Sequence, residues 1–316
     1  MNEPGSEMRT AAGPAPTSAA SNTAWASEPR VGALVAGLAL WLGVTVVVSS
    51  LVAPFAFRAI EAISPGAFPF DRVFRRVAML VALVHLVVWL RQSGVRRWAD
   101  AGFTGAGRRS GAFPRWALAG ALLAAALFVV DVVSGHRVAA LALTPAGVAK
   151  ALLGGALIGL LEEGVCRGAL VFPFGRLRGA ALALAAGAIS AVYSTGHFAR
   201  GRTRLAEVDW TSGFELWGRV GDAIAASPEA WVGLFALGLL FDRLARRQGH
   251  VWGAAGLHAG AVAVIQLGSD LTDPAPAGSL FFTNGLHPAW ALTALLAVGW
   301  LLLAREPKRS DDAPGT

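Results

Sequence analysis

Long apolar runs recur along the chain, and they constrain what it can fold into more than any other feature. Stretches of about 20 residues, enough to cross a hydrocarbon layer with modest tilt, fall near 31–54, 74–91, 115–134, 148–172, 179–198, 228–245, 250–268 and 288–304. In lipid every backbone N–H and C=O must be satisfied internally, and continuous runs of this length achieve that as helices. The chain is therefore expected to be all-α, a polytopic membrane protein with about eight transmembrane helices. Its 55% hydrophobic and 15% charged residues lie far from the soluble globular average, in the same direction.

The spans divide the rest of the sequence. Residues 1–29, rich in Ala, Ser and Pro and without the apolar core of a signal peptide, read as a disordered tail. Residues 30–306 form the expected membrane domain and 307–316 a short second tail. Pro114 and Pro288 are placed to start helices, where a missing N–H costs little. Trp89, Trp116, Trp231, Trp252 and Trp290 fall near span ends, as in an interfacial aromatic belt. Residues Glu207 to Trp231 have the pattern of an amphipathic helix lying in the interface.

The net charge of +7 comes from short arginine clusters between apolar runs, the form of a topology signal and not of a nucleic-acid surface. The partners this charge pattern leads one to expect are membrane lipids, with no nucleic acid. Eight spans place 16 Lys and Arg on the amino-terminal side and 10 on the other, so both termini are expected to be cytoplasmic, in a bacterial inner membrane. The single cysteine, Cys166, excludes an intrachain disulfide and a cysteine-based zinc ribbon.

Three spans carry groups that lipid does not tolerate freely. The fourth has EEGVCR at 162–167, the fifth SAVYSTGH at 190–197 and the seventh GLHAGAVAVIQ at 256–266. Near a helix centre each charge costs about 2.5–3.5 kcal/mol, so Glu162, Glu163 and Arg167 together cost about 8–10 kcal/mol before pairing. At about 100° per residue Glu163 and Arg167 lie about 40° apart, the spacing of an ion pair, whereas Glu162 lies about 140° from Arg167. Arg167 is thus expected to neutralise Glu163 and leave Glu162 facing the bundle interior.

Tyr193, the only tyrosine, and His197 are one turn apart and share a face, so the phenol can pack beside or bond the imidazole. His258 sits among Gly253, Ala254, Ala255, Gly256, Ala259 and Gly260, residues small enough to let another helix approach closely. Glu162, His197 and His258, on three helices, are the candidate catalytic group. A carboxylate and two imidazoles can activate water and stabilise an oxyanion, and they are equally a ligand set for zinc. Either way an activated water attacking a carbonyl hydrolyses a peptide. The His-Glu-x-x-His zinc helix, the Gly-x-Ser-Gly of rhomboids and the Gly-x-Gly-Asp of presenilins are all absent.

The chain resembles the CPBP intramembrane proteases, the group of type II CAAX prenyl endopeptidases and bacteriocin-processing enzymes. The likeness rests on EEGVCR at 162–167, YSTGH at 193–197 and HAGAV at 258–262, in order, across roughly residues 145–268. It implies an eight-helix protease domain in which Glu162 activates water with His197 as its partner. His258 is implied to be oxyanion stabiliser or metal ligand, and Glu163 and Arg167 to brace the site. The group is named for metalloproteases, yet a glutamate and histidine acting without zinc also fit its motifs, so a zinc held by Glu162, His197 and His258 and a metal-free site both stay open. Tyr193 stands where many relatives have Phe, and Val262 where many have Asn. An amide lost from an oxyanion site costs about 2.7–4 kcal/mol of transition-state stabilisation. Gln266 is the nearest substitute on that helix, about 80° from His258 at about 100° per residue. The resemblance implies a peptide or protein substrate in the membrane; prenylated CAAX proteins are the substrates implied, and signal peptides, bacteriocin leaders and membrane regulators are others.

Two further readings fit the residues. Val262 favours a non-catalytic scaffold in which the polar cluster is structural, and intramembrane ionisable groups also mark transporters, although no repeated halves are evident. The arginine count carries its own test: topology reporters fused to either terminus should register cytoplasmic, and an external reading at either end would overturn the orientation or the even number of spans.

Overall fold

The computed structural model describes residues 31–92, 95–103, 111–140, 143–171, 179–199, 207–276, 278–283 and 288–304. The expected tails at 1–29 and 307–316 lie outside the described residues. Among those described there are nine α-helices: α1 (Val31–Ile63), α2 (Phe70–Gln92), α3 (Ala112–Val133), α4 (Pro145–Glu163), α5 (Gly179–Phe198), α6 (Ser212–Ala226), α7 (Pro228–Gln248), α8 (Trp252–Leu271) and α9 (Trp290–Ala304). The protein is an all-α polytopic membrane protein.

The expected count of eight spans is not reproduced by length and apolarity. Four described helices pass that test, α1, α2, α3 and α5, and a fifth only if α6 and α7, bent by 94° at their junction, are taken as one broken span. The motif helices α4 and α8 fall outside the set, and α8 shows why: it carries His258 and Gln266 among many glycines and is largely wrapped by protein. A helix shielded from lipid does not need an apolar exterior.

Several expected boundaries shift. α1 continues beyond 54 through Pro54 to Ile63, because the turn past the proline is packed: Ala53 and Phe57 join Phe70 and Phe74 of α2 and Leu216 of α6. The fourth span starts at Pro145, capped by Thr144, whose hydroxyl accepts from Gly147 N–H at 3.0 Å, a standard N-cap. Pro288 does not open α9; it pairs in a β-bridge with Phe282, two residues before the helix begins at Trp290. The segment read as interfacial contains α6, which lies nearly perpendicular to α7 and buries Leu216 and Val220.

α8 is the central strut. Neighbouring pairs rise together along α3 and α8 (Phe113 with Gly256, Ala117 with Gly260) and run oppositely along α4 and α8 (Gly155 with Ala259, Gly159 with Ala255), so α8 is parallel to α3 and antiparallel to α4. The contacts are backbone on backbone. A Cβ placed on Gly155 would lie 2.6 Å from the Ala259 carbonyl oxygen and one on Gly159 2.5 Å from that of Ala255, distances no side chain adopts. Gly155/Gly159 and Gly256/Gly260 are thus two Gly-x-x-x-Gly faces, the arrangement by which membrane helices associate through dispersion at close range.

The far ends of α3 and α8 are tied by a feature outside the expected all-α pattern, a small antiparallel pair in which Arg137–Ala139 (β1) meets Thr272–Pro274 (β2). Arg137 donates to the Thr272 hydroxyl at 2.6 Å and its carbonyl at 2.7 Å while lying over the Phe128 ring. Asp131, a carboxylate in the third expected span, is a buried charge that the motif pattern does not single out. It is fully buried and accepts from the Ser279 hydroxyl and from Leu280 N–H, fastening the chain after β2 onto α3. Phe282 then stacks on Phe128 at 5.0 Å between centroids.

This packing predicts unequal tolerance among glycines. Gly260→Ala would drive a methyl into the Ala117 carbonyl of α3, whereas a methyl added at Gly187 on α5 would meet nothing within 4 Å. Thermal unfolding in detergent should show the first substitution costing about 1–3 kcal/mol and Gly187→Ala almost nothing.

Candidate active site

Glu162 and Glu163 end α4, and there the helix loosens into a π-helical turn over Gly164–Ala169 that carries Arg167. Such turns displace side chains from α-helical spacing and recur at functional sites. The 3-10 turn Trp98–Ala101 and Phe103 support it from below: Phe103 touches Gly164 and the Ala101 carbonyl approaches Gly168. That supporting turn is held by Asp100, which accepts from the N–H groups of Arg96 at 3.1 Å and Arg97 at 2.9 Å. These bonds hold the Asp100 carboxyl below the usual carboxylate range, so its contribution is present above that range and is lost as pH falls through the lowered value.

Arg167 and Glu163 form the expected pair, at 3.1 Å with both side chains fully buried. The pairing is wider than helical spacing indicates. Glu163 Oε1 also accepts from His258 Nδ1–H at 3.0 Å, so the same carboxylate compensates the guanidinium and orients an imidazole. Arg167 donates a second bond to the Gly238 carbonyl at 2.7 Å and lies between the rings of Tyr193 and Phe241, at 4.7 and 5.5 Å, a placement that adds cation–π attraction in a desolvated setting.

Glu162 departs in the other direction, as its helical angle requires. Its side chain retains 23% exposure against none for Glu163, and its Oε2 lies 3.6 Å from His197 Nε2 and 4.0 Å from His258 Nε2. His197 Nδ1–H donates to the Tyr193 carbonyl at 2.9 Å. These bonds assign the tautomers: with both Nδ1 protons engaged, both Nε2 atoms face Glu162. The Tyr193 phenol does not bond the imidazole; its ring packs edge-on against His197 at 4.7 Å and His258 at 6.1 Å.

The three groups stand at the wall of a cavity of about 280 Å³. The rest of the lining is mainly aliphatic, exemplified by Leu127 of α3, Leu237 of α7 and Leu292 of α9, with Phe282 closing the side fastened by Asp131. Val262 lines the cavity as an apolar group. Gln266 lines it too, but its carboxamide rests against Gly154 of α4, eight residues and thus about 12 Å of helix from Glu162. It does not replace an amide at position 262.

Sequence reasoning misses the whole contribution of α7. Phe241 stacks on His258 at 5.0 Å, and Gly238 leaves room for the guanidinium, since a Cβ there would lie 3.2 Å from Arg167 Nη2 and 2.9 Å from Ser190. Neither residue stands out in an apolar run. Asp242, buried one residue after Phe241 and paired with Arg246, is the signal in the sequence that this helix faces protein.

Zinc fits these residues poorly as they stand. Bonds of about 2.0–2.2 Å put tetrahedral ligand atoms about 3.4 Å apart, whereas His258 Nε2 and Glu162 Oε2 are 4.0 Å apart. Among the described residues no group of three His, Cys, Asp or Glu has metal-site geometry.

Fold and site together define a polytopic helical membrane protein with a carboxylate and two imidazoles gathered on one cavity. Residues 144–264, under half of the chain but containing every one of these groups, match the Rce1-like family, the type II CAAX prenyl endopeptidases. No curated protein and no solved structure matches the chain.

The buried charges set a measurable coupling. Arg167→Met should leave Glu163 with an uncompensated charge and cost about 3–5 kcal/mol, Glu163→Gln a comparable amount, and the two together clearly less than their sum. Unfolding of the four proteins in detergent measures the cycle, and additive costs would remove the pair from the structural account.

Proposed function

We propose that the protein is an intramembrane endopeptidase that hydrolyses a peptide bond of a membrane-associated or prenylated, CAAX-type protein, with Glu162 as general base toward a water. The observation that carries this reading is the division of labour between adjacent glutamates. Glu163 is consumed by Arg167 and His258, while Glu162 Oε2 faces two imidazole Nε2 atoms at 3.6 and 4.0 Å on the wall of an apolar cavity. A water beside this cluster would lie within hydrogen-bonding reach of the carboxylate and of the imidazoles.

In this mechanism a water bound there gives one O–H proton to Glu162 and directs the other to His197 Nε2. The water oxygen bonds to the peptide carbonyl carbon, and the carbonyl π pair moves onto its oxygen. Collapse breaks the C–N bond as the leaving nitrogen takes the proton held on Glu162. Every proton is thus carried by this chain's residues, with no step through a metal. The aliphatic cavity beside Glu162 supports a substrate with an apolar segment, and the family match supports the CAAX class.

The scaffold reading draws on one observation, Val262 at the cavity wall where an amide would serve. Cleavage by purified protein decides between the two. Glu162→Gln preserves size and hydrogen bonding but removes the base, so the variant should fold normally and cleave about 10²–10⁴-fold more slowly. Wild-type cleavage by that variant would remove Glu162 as the base, and no cleavage by the native protein on prenylated and unprenylated membrane peptides would leave the scaffold reading in place.

A further inference from the structure

The site as built has acceptors in excess of donors, and this imbalance shows what Tyr193 is for. A tetrahedral intermediate places negative charge on the former carbonyl oxygen, and catalysis requires a donor already aimed at that charge. Among the side chains lining the cavity, four can donate a hydrogen bond: Tyr193, His197, His258 and Gln266. The Nδ1–H groups of both histidines are committed, to the Tyr193 carbonyl and to Glu163. The Gln266 carboxamide rests against Gly154, away from the glutamates, and Val262 offers nothing. One donor is left uncommitted. Tyr193 is 5% exposed, and its hydroxyl oxygen, enclosed beside the cavity in the unliganded fold, has no hydrogen-bond partner among the described residues.

A buried hydroxyl without a partner is a cost to folding, and a native structure usually carries one only where something else completes it. Packing does not account for it, since a phenylalanine ring would make the same edge contacts with His197 and His258 and offer the same face to Arg167. The hydroxyl is the one part of this side chain that the folded protein does not use.

We propose that the Tyr193 hydroxyl is the oxyanion donor of this site, supplying by side-chain O–H the hydrogen bond that Val262 cannot give. The proposal rests on the hydrolytic reading above. The phenol keeps its proton throughout: O–H donates to the oxyanion as the C–O bond forms and is released when the C–N bond breaks, so the proton balance through Glu162 is unchanged.

Three measurements test it. Tyr193→Phe removes the hydroxyl alone and should lower kcat about 10²-fold with little change in KM and no loss of thermal stability, and adding Val262→Asn to that variant should restore part of kcat. Because Tyr193 is the only tyrosine, protein labelled with ¹³Cζ-tyrosine gives a single resonance. That resonance should move when a membrane-soluble peptidyl phosphinate, an anionic tetrahedral mimic, is added, and Tyr193→Phe should bind this phosphinate at least 10-fold more weakly while binding the matching amide peptide equally well. Unchanged cleavage by Tyr193→Phe alongside an inactive Glu162→Gln would overturn the donor role and leave the protease reading standing. Equal phosphinate binding by native and Tyr193→Phe protein, or no binding by either, would overturn it by a route independent of turnover. Unimpaired cleavage by Glu162→Gln would instead remove the Glu162 base mechanism on which the proposal depends.

Discussion

A single carboxylate, Glu163, holds the interior of this protein together. Fully buried, it cannot remain charged without compensation, and it receives that from Arg167 within its own segment and from His258 on α8. Arg167 extends the linkage to the Gly238 carbonyl on α7 and to the ring of Tyr193 on α5. Four segments distant in sequence are thereby fixed by one charge cluster. The neighbouring Glu162, whose turn of the helix sends it the other way, is presented to the cavity on a frame it does not have to support.

The glycine faces of α8 make that geometry possible. His258 reaches Glu163 because α8 lies against α4 at backbone contact, through Gly155 and Gly159 on one helix and Ala255 and Ala259 on the other. Hydrocarbon supplies no hydrophobic drive between helices, so close approach and polar links have to hold the bundle together. The same requirement explains why α3 and α8 are fastened again at their far ends by Asp131 and Arg137. Those fasteners place Phe282 over the cavity, which ties the shape of the site to residues with no part in its chemistry.

How much of this is legible in the sequence differs by residue. Glu163 with Arg167 can be read from spacing, and the separate direction of Glu162 from its helical angle. Both survive the π turn, because local covalent geometry fixes which face a side chain leaves from. The small residues around His258 mark a close helix contact, which the structure shows on both sides of α8. By contrast, the eight-span count is not reproduced by length and apolarity among the described helices, and for α8 the reason is that protein wraps it and frees it from the composition that lipid imposes. Pro54 does not end α1, because packing against α2 and α6 outweighs one lost hydrogen bond. Phe241 and Gly238 are silent because an apolar run gives no sign of which residues face an arginine from another helix.

The sequence by itself determined that the chain is a helical membrane protein, that three segments carry the polar groups, and that Glu162, His197 and His258 stand in the order of a known protease family. These follow from the cost of burying backbone and charge in lipid, which each segment must meet where it stands. Only the tertiary structure decided that Glu163 serves two partners, that the histidine tautomers are set by a carboxylate and a carbonyl, and that the Tyr193 hydroxyl is left without a protein partner among the described residues. Those outcomes depend on distances between helices far apart in the chain. Such distances are set by side-chain volume and backbone contact across the bundle, which periodicity along a single helix does not contain.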